Sequence, residues 1–270
     1  MEIEEFRTLI YSFYKDQGRS FPWREKTGPW GVLVSEIMLQ QTQTERVVPY
    51  WERWMAKWPG PEDLHRAPFE EVLREWSGLG YNRRARNLKE CAGIISRELG
   101  GRVPGTAAEL ARLPGIGAYT AGAVSCFAWN RPEVFIETNI RTVMIHFFFD
   151  DSAEVHDREI FPILEKCLDR KNPRAWYWAL MDYGAALKKL TPNPGRRSAH
   201  YTRQGSFSGS FRELRGSLIR ALVSRGPAAL EEFEKLPEIK RNKEDIYRAL
   251  KALEKEAMVA EEGGIYRIRE

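Results

Sequence analysis

Three short segments carry residues whose types and spacing could do chemistry. In Ser35-Glu36-Ile37-Met38-Leu39-Gln40-Gln41-Thr42, Glu36 stands in an apolar helical pattern with Val32, Leu33, Ile37 and Leu39. Burial disfavours a charged carboxylate, and a carboxyl kept protonated near neutral pH is what a general acid requires. The competing assignment is a surface glutamate on an amphipathic helix. Gln40 follows Glu36 by one helical turn, where an amide could read base edges. In Phe135-Ile136-Glu137-Thr138-Asn139-Ile140-Arg141, an apolar stretch ends at Glu137 and a helical pattern begins near Thr138. Free amides and the helix dipole hold a carboxylate ionised there. The same position suits plain helix capping, with Thr138 or Asn139 as the cap. Leu113-Pro114-Gly115-Ile116-Gly117 lies between two helical patterns. Two glycines one residue apart open backbone conformations closed to other residues and let a phosphate approach amides at a helix N-terminus. The segment reads as a helix–hairpin–helix that grips a nucleic-acid backbone without reading sequence, or as an ordinary tight turn.

The elements that must position these residues are almost all helical. Apolar residues recur at helical spacing over 2–17, 30–58 (bent or broken at Pro49), 69–76, 83–99, 106–112, 119–129, 140–149, 158–168 and 173–189. The texture changes at 190–209, a Pro-, Gly- and Ser-rich stretch with Arg196, Arg197 and Arg203 and no acidic residue. It reads as a basic linker that either contacts DNA or is a solvated spacer. Beyond it, helical patterns at 211–224, 228–236 and 243–255 precede two strand-like pieces, 258–260 and 265–269, joined through Gly263-Gly264. Helix–helix–helix–wing is a winged-helix order. The last of these helices mixes Lys243, Arg248, Lys251 and Lys255 with Glu244, Asp245, Glu254 and Glu256. Such balance makes a poor phosphate binder, so the module docks a protein partner or braces the rest.

Composition narrows the class. With 43% hydrophobic and 30% charged residues, the 270-residue chain is ordinary for a globular protein, which excludes disorder and low-complexity classes. The apolar runs 122–129 and 143–149 are too short to span a membrane. The acidic start MEIEEFR is unlike a secretory signal. Cys91, Cys126 and Cys167 are scattered, offering neither a disulfide framework nor a CxxC metal site. A reduced, cytoplasmic setting is expected. The net charge of +4 permits a polyanionic partner without demanding one.

The ordered motifs Phe21-Pro22-Trp23-Arg24, Ser35–Gln43, Gly78-Leu79-Gly80-Tyr81, Arg84-Ala85-Arg86-Asn87-Leu88, Leu113–Gly122 and Leu180-Met181-Asp182-Tyr183-Gly184 resemble the helix–hairpin–helix (HhH-GPD) DNA glycosylase superfamily, and within it the MutY-type adenine glycosylases. The resemblance runs from about Phe21 to Lys189. It implies an all-α fold of two helical modules, about 26–131 and 1–25 plus 132–203, with DNA in the cleft between them and the target base flipped into it. The glycosylase domain is expected at 1–203 and the winged-helix-like domain at 210–270. By resemblance, Glu36 protonates the departing base and activates water, and Glu137 stands where an Asp stabilises an oxocarbenium-like sugar. Tyr119 and Asn139 match active-site positions. Gln41 and Tyr81 match residues that wedge beside the opposite base, and Gln40-Gln41 resembles the adenine enzymes more than their thymine-mismatch relatives. Leu113, Gly115 and Gly117 fall in the DNA-gripping hairpin.

The chain departs from that pattern at several points. Glu137 replaces Asp and Thr138 replaces the usual Gly. One methylene moves a carboxylate by about 1.5 Å, which can cost on the order of 100-fold in rate. The segment 188–197, where a cysteine-ligated iron–sulfur cluster would follow, has no cysteine, so no cofactor or metal is expected. Tyr119 stands where lyase members place Lys, so hydrolysis without strand cleavage is expected. The domain that senses 8-oxoguanine is replaced by the winged-helix-like tail, and a chain ending at 207 is expected to keep its base-pair preference. The leading function is a monofunctional glycosylase removing adenine mispaired with guanine or 8-oxoguanine. The alternatives are removal of thymine, uracil or another damaged base, and non-catalytic binding of damaged DNA. The expected partner is double-stranded DNA bound by a monomer, with no membrane and room for a protein partner at the tail.

Overall fold

The computed structural model describes residues 1–25, 28–150, 154–202 and 205–270. Among them are fourteen α-helices, two 3-10 turns and three short strands. The chain divides into two units, Met1–Glu36 with Pro104–Arg203, and Ile37–Val103 with Gln204–Glu270. No described helix is long and apolar enough to cross a membrane.

The first unit holds α1 (Ile3–Gln17), a 3-10 turn (Pro22–Arg24) and most of α2 (Pro29–Leu39). The second takes up the chain with α3 (Thr44–Lys57), α4 (Pro61–Arg66), α5 (Phe69–Trp76) and α6 (Arg83–Glu98). The first then resumes with α7 (Ala107–Leu110), α8 (Ala118–Trp129), α9 (Thr138–Phe148), α10 (Asp157–Cys167), α11 (Pro173–Leu190) and a 3-10 turn (Pro194–Arg197). Its core is aromatic. Phe6 meets Phe147, Phe148 and Trp176 edge to face at 5.0–5.8 Å, the geometry ring quadrupoles favour. In α8 every residue from Thr120 to Phe127 is buried. A helix apolar on all sides belongs inside a unit, and α8 packs between α7 and α11.

In the second unit Trp54 packs against Trp58 and Trp76 at 4.6 and 5.4 Å. The C-terminal stretch forms α12 (Phe211–Arg225), β1 (Ala228–Ala229), α13 (Leu230–Glu234), α14 (Lys243–Lys255), β2 (Val259–Glu262) and β3 (Ile265–Ile268). The sheet is antiparallel in the order β1-β3-β2, with Val259 opposite Ile268 and Ala228 opposite Tyr266. This winged-helix arrangement gains a third strand, because residues 228–229 pair with β3 rather than opening a helix. It also packs inside the second unit. α12 lies on α5, and the Phe69 amide donates to a Glu270 carboxylate oxygen at 2.9 Å.

Three expectations change. Residues 104–131, with the helix–hairpin–helix, group with the first unit, and residues 204–270 group with 37–103. The chain breaks at Gln40–Gln43, not at Pro49, which sits inside α3. Gln41 takes a positive φ of 57° there. The Arg84 guanidinium draws the carbonyls of Ile37 (3.1 Å), Met38 (2.8 Å) and Gln40 away from the helical ladder. Lastly, 190–198 is no solvated spacer. Pro194 and Gly195 are buried, and Val155 and Ser198 form a parallel β-bridge.

Candidate active site

α2 carries Glu36 on a stretch, Trp30–Met38, that is buried throughout, so this helix has no solvent face for a charged residue to use. Glu36 is 4% exposed. The Tyr119 hydroxyl, from the first turn of α8, donates to Glu36 Oε2 at 3.3 Å. Burial raises the Glu36 pKa to about 7, with the Tyr119 hydrogen bond and Arg24 opposing and the charge of Glu137 adding to it. The side chain is therefore a poised acid at neutral pH.

Glu137 is the N-cap of α9. Its Oε1 accepts from the backbone N–H groups of Asn139 at 2.6 Å and Ile140 at 2.8 Å, and Oε2 accepts from Asn139 Nδ2 at 3.2 Å. The carboxylate expected to do chemistry is thus also the cap of α9. Burial raises its pKa, while the two amides, Lys188 and Arg141 pull the other way. Glu137 accepts from two backbone amides at a helix start, whereas Glu36 has one phenol and the more distant charge of Arg24 to favour its anion, so the pair's first proton resides on Glu36. Lys188, unremarked in the sequence reading, donates from Nζ to Asn139 Oδ1 at 2.8 Å, and burial lowers its pKa.

Two motifs prove to be one clamp. Asp182, 2% exposed on α11, accepts from Arg24 Nη1 and Nη2 at 2.8 and 2.9 Å and from the Arg19 amide and Nε at 2.8 Å. Arg24 stacks over Phe21 and Trp178, 5.0 and 5.4 Å from the ring centroids. The available signal was an Arg and an Asp, each inside an apolar motif, since such residues are buried only when paired. Gly184 lets α11 approach the start of α9. A Cβ there would lie 2.4 Å from the Asn139 carbonyl oxygen.

The expected DNA contacts separate by unit. In the hairpin, Gly115 (φ 73°) and Gly117 are exposed and open to a phosphate. Leu113 differs from expectation. Its side chain is 5% exposed, its amide donates to Leu110 and its carbonyl accepts from Ile116, so it shapes the turn. Arg196 is exposed. Arg197 is a fastener instead, donating to the carbonyls of Phe149 (3.2 Å) and Asp150. Arg203 lies outside the described residues. In the second unit, Gln40 falls past the end of α2 rather than on its face. Gln41 and Tyr81 both hold positive φ, 57° and 49°. Arg84, also missed, ties their loops together by donating to Leu79 and Gly80 carbonyls at 3.2 and 3.1 Å and to Thr42 Oγ1 at 3.1 Å.

Residues 34–168 match the family described as HhH-GPD superfamily base excision DNA repair protein. An adenine DNA glycosylase of Mycobacterium tuberculosis (strain H37Rv) is 37% identical over 235 residues, covering 80% of this chain and 77% of that protein. The Homo sapiens adenine DNA glycosylase is 35% identical over 198 residues, covering 69% of this chain and 36% of that one. Among solved structures, a thermostable thymine-DNA glycosylase has a TM-score of 0.63 at 28% identity, over 68% of this chain and 86% of that chain. The endonuclease III chain of a non-covalent DNA complex shares the fold, with a TM-score of 0.57 at 22% identity over 68% and 86% of the two chains. The chain belongs to the HhH-GPD superfamily of base excision DNA repair proteins. It is a DNA N-glycosylase, and DNA is its partner.

Gly184→Ala should push the start of α9 off α11. The expected result is a loss of about 1–3 kcal/mol in stability, as for overpacking elsewhere, with at least tenfold slower base excision. Thermal unfolding and single-turnover rates check it, and wild-type values for both would show that the close approach is dispensable.

Proposed function

We propose that this protein hydrolyses the N-glycosidic bond of adenine flipped out of a mispair with guanine or 8-oxoguanine, without cleaving the strand and without an iron–sulfur cluster. The observation that carries the chemistry is the buried Glu36 carboxyl, held by Tyr119 with a pKa of about 7, beside a Glu137 carboxylate capped by two amides. Adenine is a poor leaving group as an anion. A proton from Glu36 to a ring nitrogen lets it depart neutral. Positive charge then develops on the deoxyribose, and Glu137 lies in place to stabilise it. The Glu36 carboxylate left behind takes a proton from the attacking water, which restores the acid. Relatives named adenine DNA glycosylase, 35–37% identical, support adenine as the base.

An iron–sulfur cluster does not fit this donor set. Ligation takes about four thiolates, and the chain has three cysteines, in α6, α8 and α10. Burial pushes the Cys91 and Cys167 thiols up to about 12 and 11, and Cys126 further still, so all three stay protonated.

The test is base release from duplexes carrying A:G, A:8-oxoguanine, T:G and U:G pairs. Free adenine is expected. Free thymine or uracil instead would favour the mismatch-thymine reading, and no release from any duplex would favour a non-catalytic binder. Reaction type has its own test. Tyr119 cannot form a Schiff base, so borohydride should trap no covalent adduct and strand breaks should need alkali or heat. The amine to watch is Lys188. An adduct lost in Lys188→Met would assign it a lyase role and overturn the hydrolytic reading.

A further inference from the structure

The C-terminal module reaches the loop that carries Tyr81. Tyr81 is 38% exposed and keeps a left-handed backbone, which is unfavourable for a non-glycine residue and so needs support. Support for the backbone comes from below. Trp76 Nε1 donates to the Gly80 carbonyl at 3.0 Å, and Arg84 donates to Leu79 and Gly80. Support for the ring comes from α12. Arg212 Nη1 donates to the Tyr81 hydroxyl at 2.5 Å, and its Nη2 donates to the Gly205 carbonyl at 3.1 Å. The two guanidinium groups stand 5.7 Å (Arg212) and 5.5 Å (Arg84) from the centroid of the Tyr81 ring. A groove of about 1050 Å³ follows this contact, and its lining includes Gln40, Gln41, Tyr81, Phe207, Arg212 and Arg220. Every one of these residues belongs to the second unit. Three of the four cations of α14 already have carboxylate partners. Lys243, Arg248 and Lys251 pair with Glu231, Asp245 and Glu254 at 2.7–3.1 Å.

We propose that Arg212 is a positioning residue for Tyr81, so that the C-terminal module sets how the enzyme discriminates the base opposite its target. The proposal rests on the glycosylase reading above. A tyrosine that enters the stack must hold one posture, and a hydroxyl fixed to a seated arginine supplies it. Without Arg212 the ring keeps its backbone anchor and loses its direction. The expectation that a chain ending at 207 keeps its base-pair preference is revised accordingly, because that chain lacks α12.

The experiment uses the full-length protein as wild type, Arg212→Ala, Arg212→Lys, Tyr81→Phe and the Tyr81→Phe/Arg212→Ala double variant. Single-turnover excision of adenine is measured opposite guanine, 8-oxoguanine and cytosine. In parallel, 2-aminopurine placed beside the opposite base reports unstacking by fluorescence. Arg212→Ala is expected to shrink the rate ratios between partners by about tenfold, the size of losing a hydrogen bond to a charged group, and to lower the fluorescence rise on binding. Arg212→Lys, which keeps a donor, should restore part of both. The double variant should match Tyr81→Phe, because residues acting through one contact are not additive. Unchanged ratios and fluorescence in Arg212→Ala would overturn the proposal, as would full additivity in the double variant. If the wild type excises nothing, the glycosylase reading fails, while the fluorescence arm, which needs only binding, still decides the Arg212–Tyr81 coupling.

Discussion

Glu36→Gln is expected to slow single-turnover excision by about 10³-fold or more, within the range attributed to positioned acid–base groups, while duplex affinity stays within a few-fold. Glutamine keeps the shape of the side chain and can still accept the Tyr119 hydrogen bond, but it has no proton to give. The fold should not suffer. The Glu36 pKa rises from 4.5 to about 7 on folding, so folding takes up a proton and this group's stabilising contribution, full below pH 4.5, is lost as the pH climbs towards 7. Above that window the buried carboxylate is a liability that Gln removes. Thermal unfolding at pH 8 should therefore give Glu36→Gln a Tm equal to or above that of the wild type. Excision near the wild-type rate would remove Glu36 from the mechanism.

Glu137→Ala is expected to cost at least about 100-fold in rate, because a preorganised anion facing the developing sugar cation is lost. Some stability should go with it, about 0.5–2 kcal/mol, since the same carboxylate caps α9 through the amides of Asn139 and Ile140. Glu137→Asp separates the two roles. The longer side chain is held by three hydrogen bonds in a network that ends at Lys188. A shorter carboxylate cannot keep all of them, so the Asp variant should be slower than wild type by single-turnover assay. A faster Asp variant would mean that Glu137 is a handicap and would revive the degenerate-binder alternative.

What the sequence made legible follows the range of the forces involved. Helical periodicity is local, and it marked most helices, the winged-helix order and the hairpin at 113–117. The polar residues Glu36 and Glu137 were legible because they interrupt apolar segments. α4 was not, since the six residues from Pro61 to Arg66 make fewer than two turns. The break at Gln40–Gln43 was hidden because Arg84, more than forty positions on, creates it. The Arg24–Asp182 clamp joins residues 158 positions apart. The seating of α12 on α5 is equally non-local, and so the tail read as a separate domain. Lys188 was legible only as one of two lysines ending a helix. Its role depends on Gly184, one turn earlier, admitting the backbone of Asn139.

The most direct measurement is the pH dependence of single-turnover excision at saturating enzyme, from pH 5 to 9. With Glu36 as the acid, the rate should be highest below its pKa of about 7 and fall on the alkaline side with a limiting slope of one decade per pH unit. Water exclusion by bound DNA pushes that midpoint upward. An acid limb is expected where Glu137 takes up a proton, and because burial raises its pKa that limb lies above the ordinary carboxylate range. A rate that stays level or rises from pH 7 to 9 would contradict a protonated Glu36 and with it the chemistry assigned to this site.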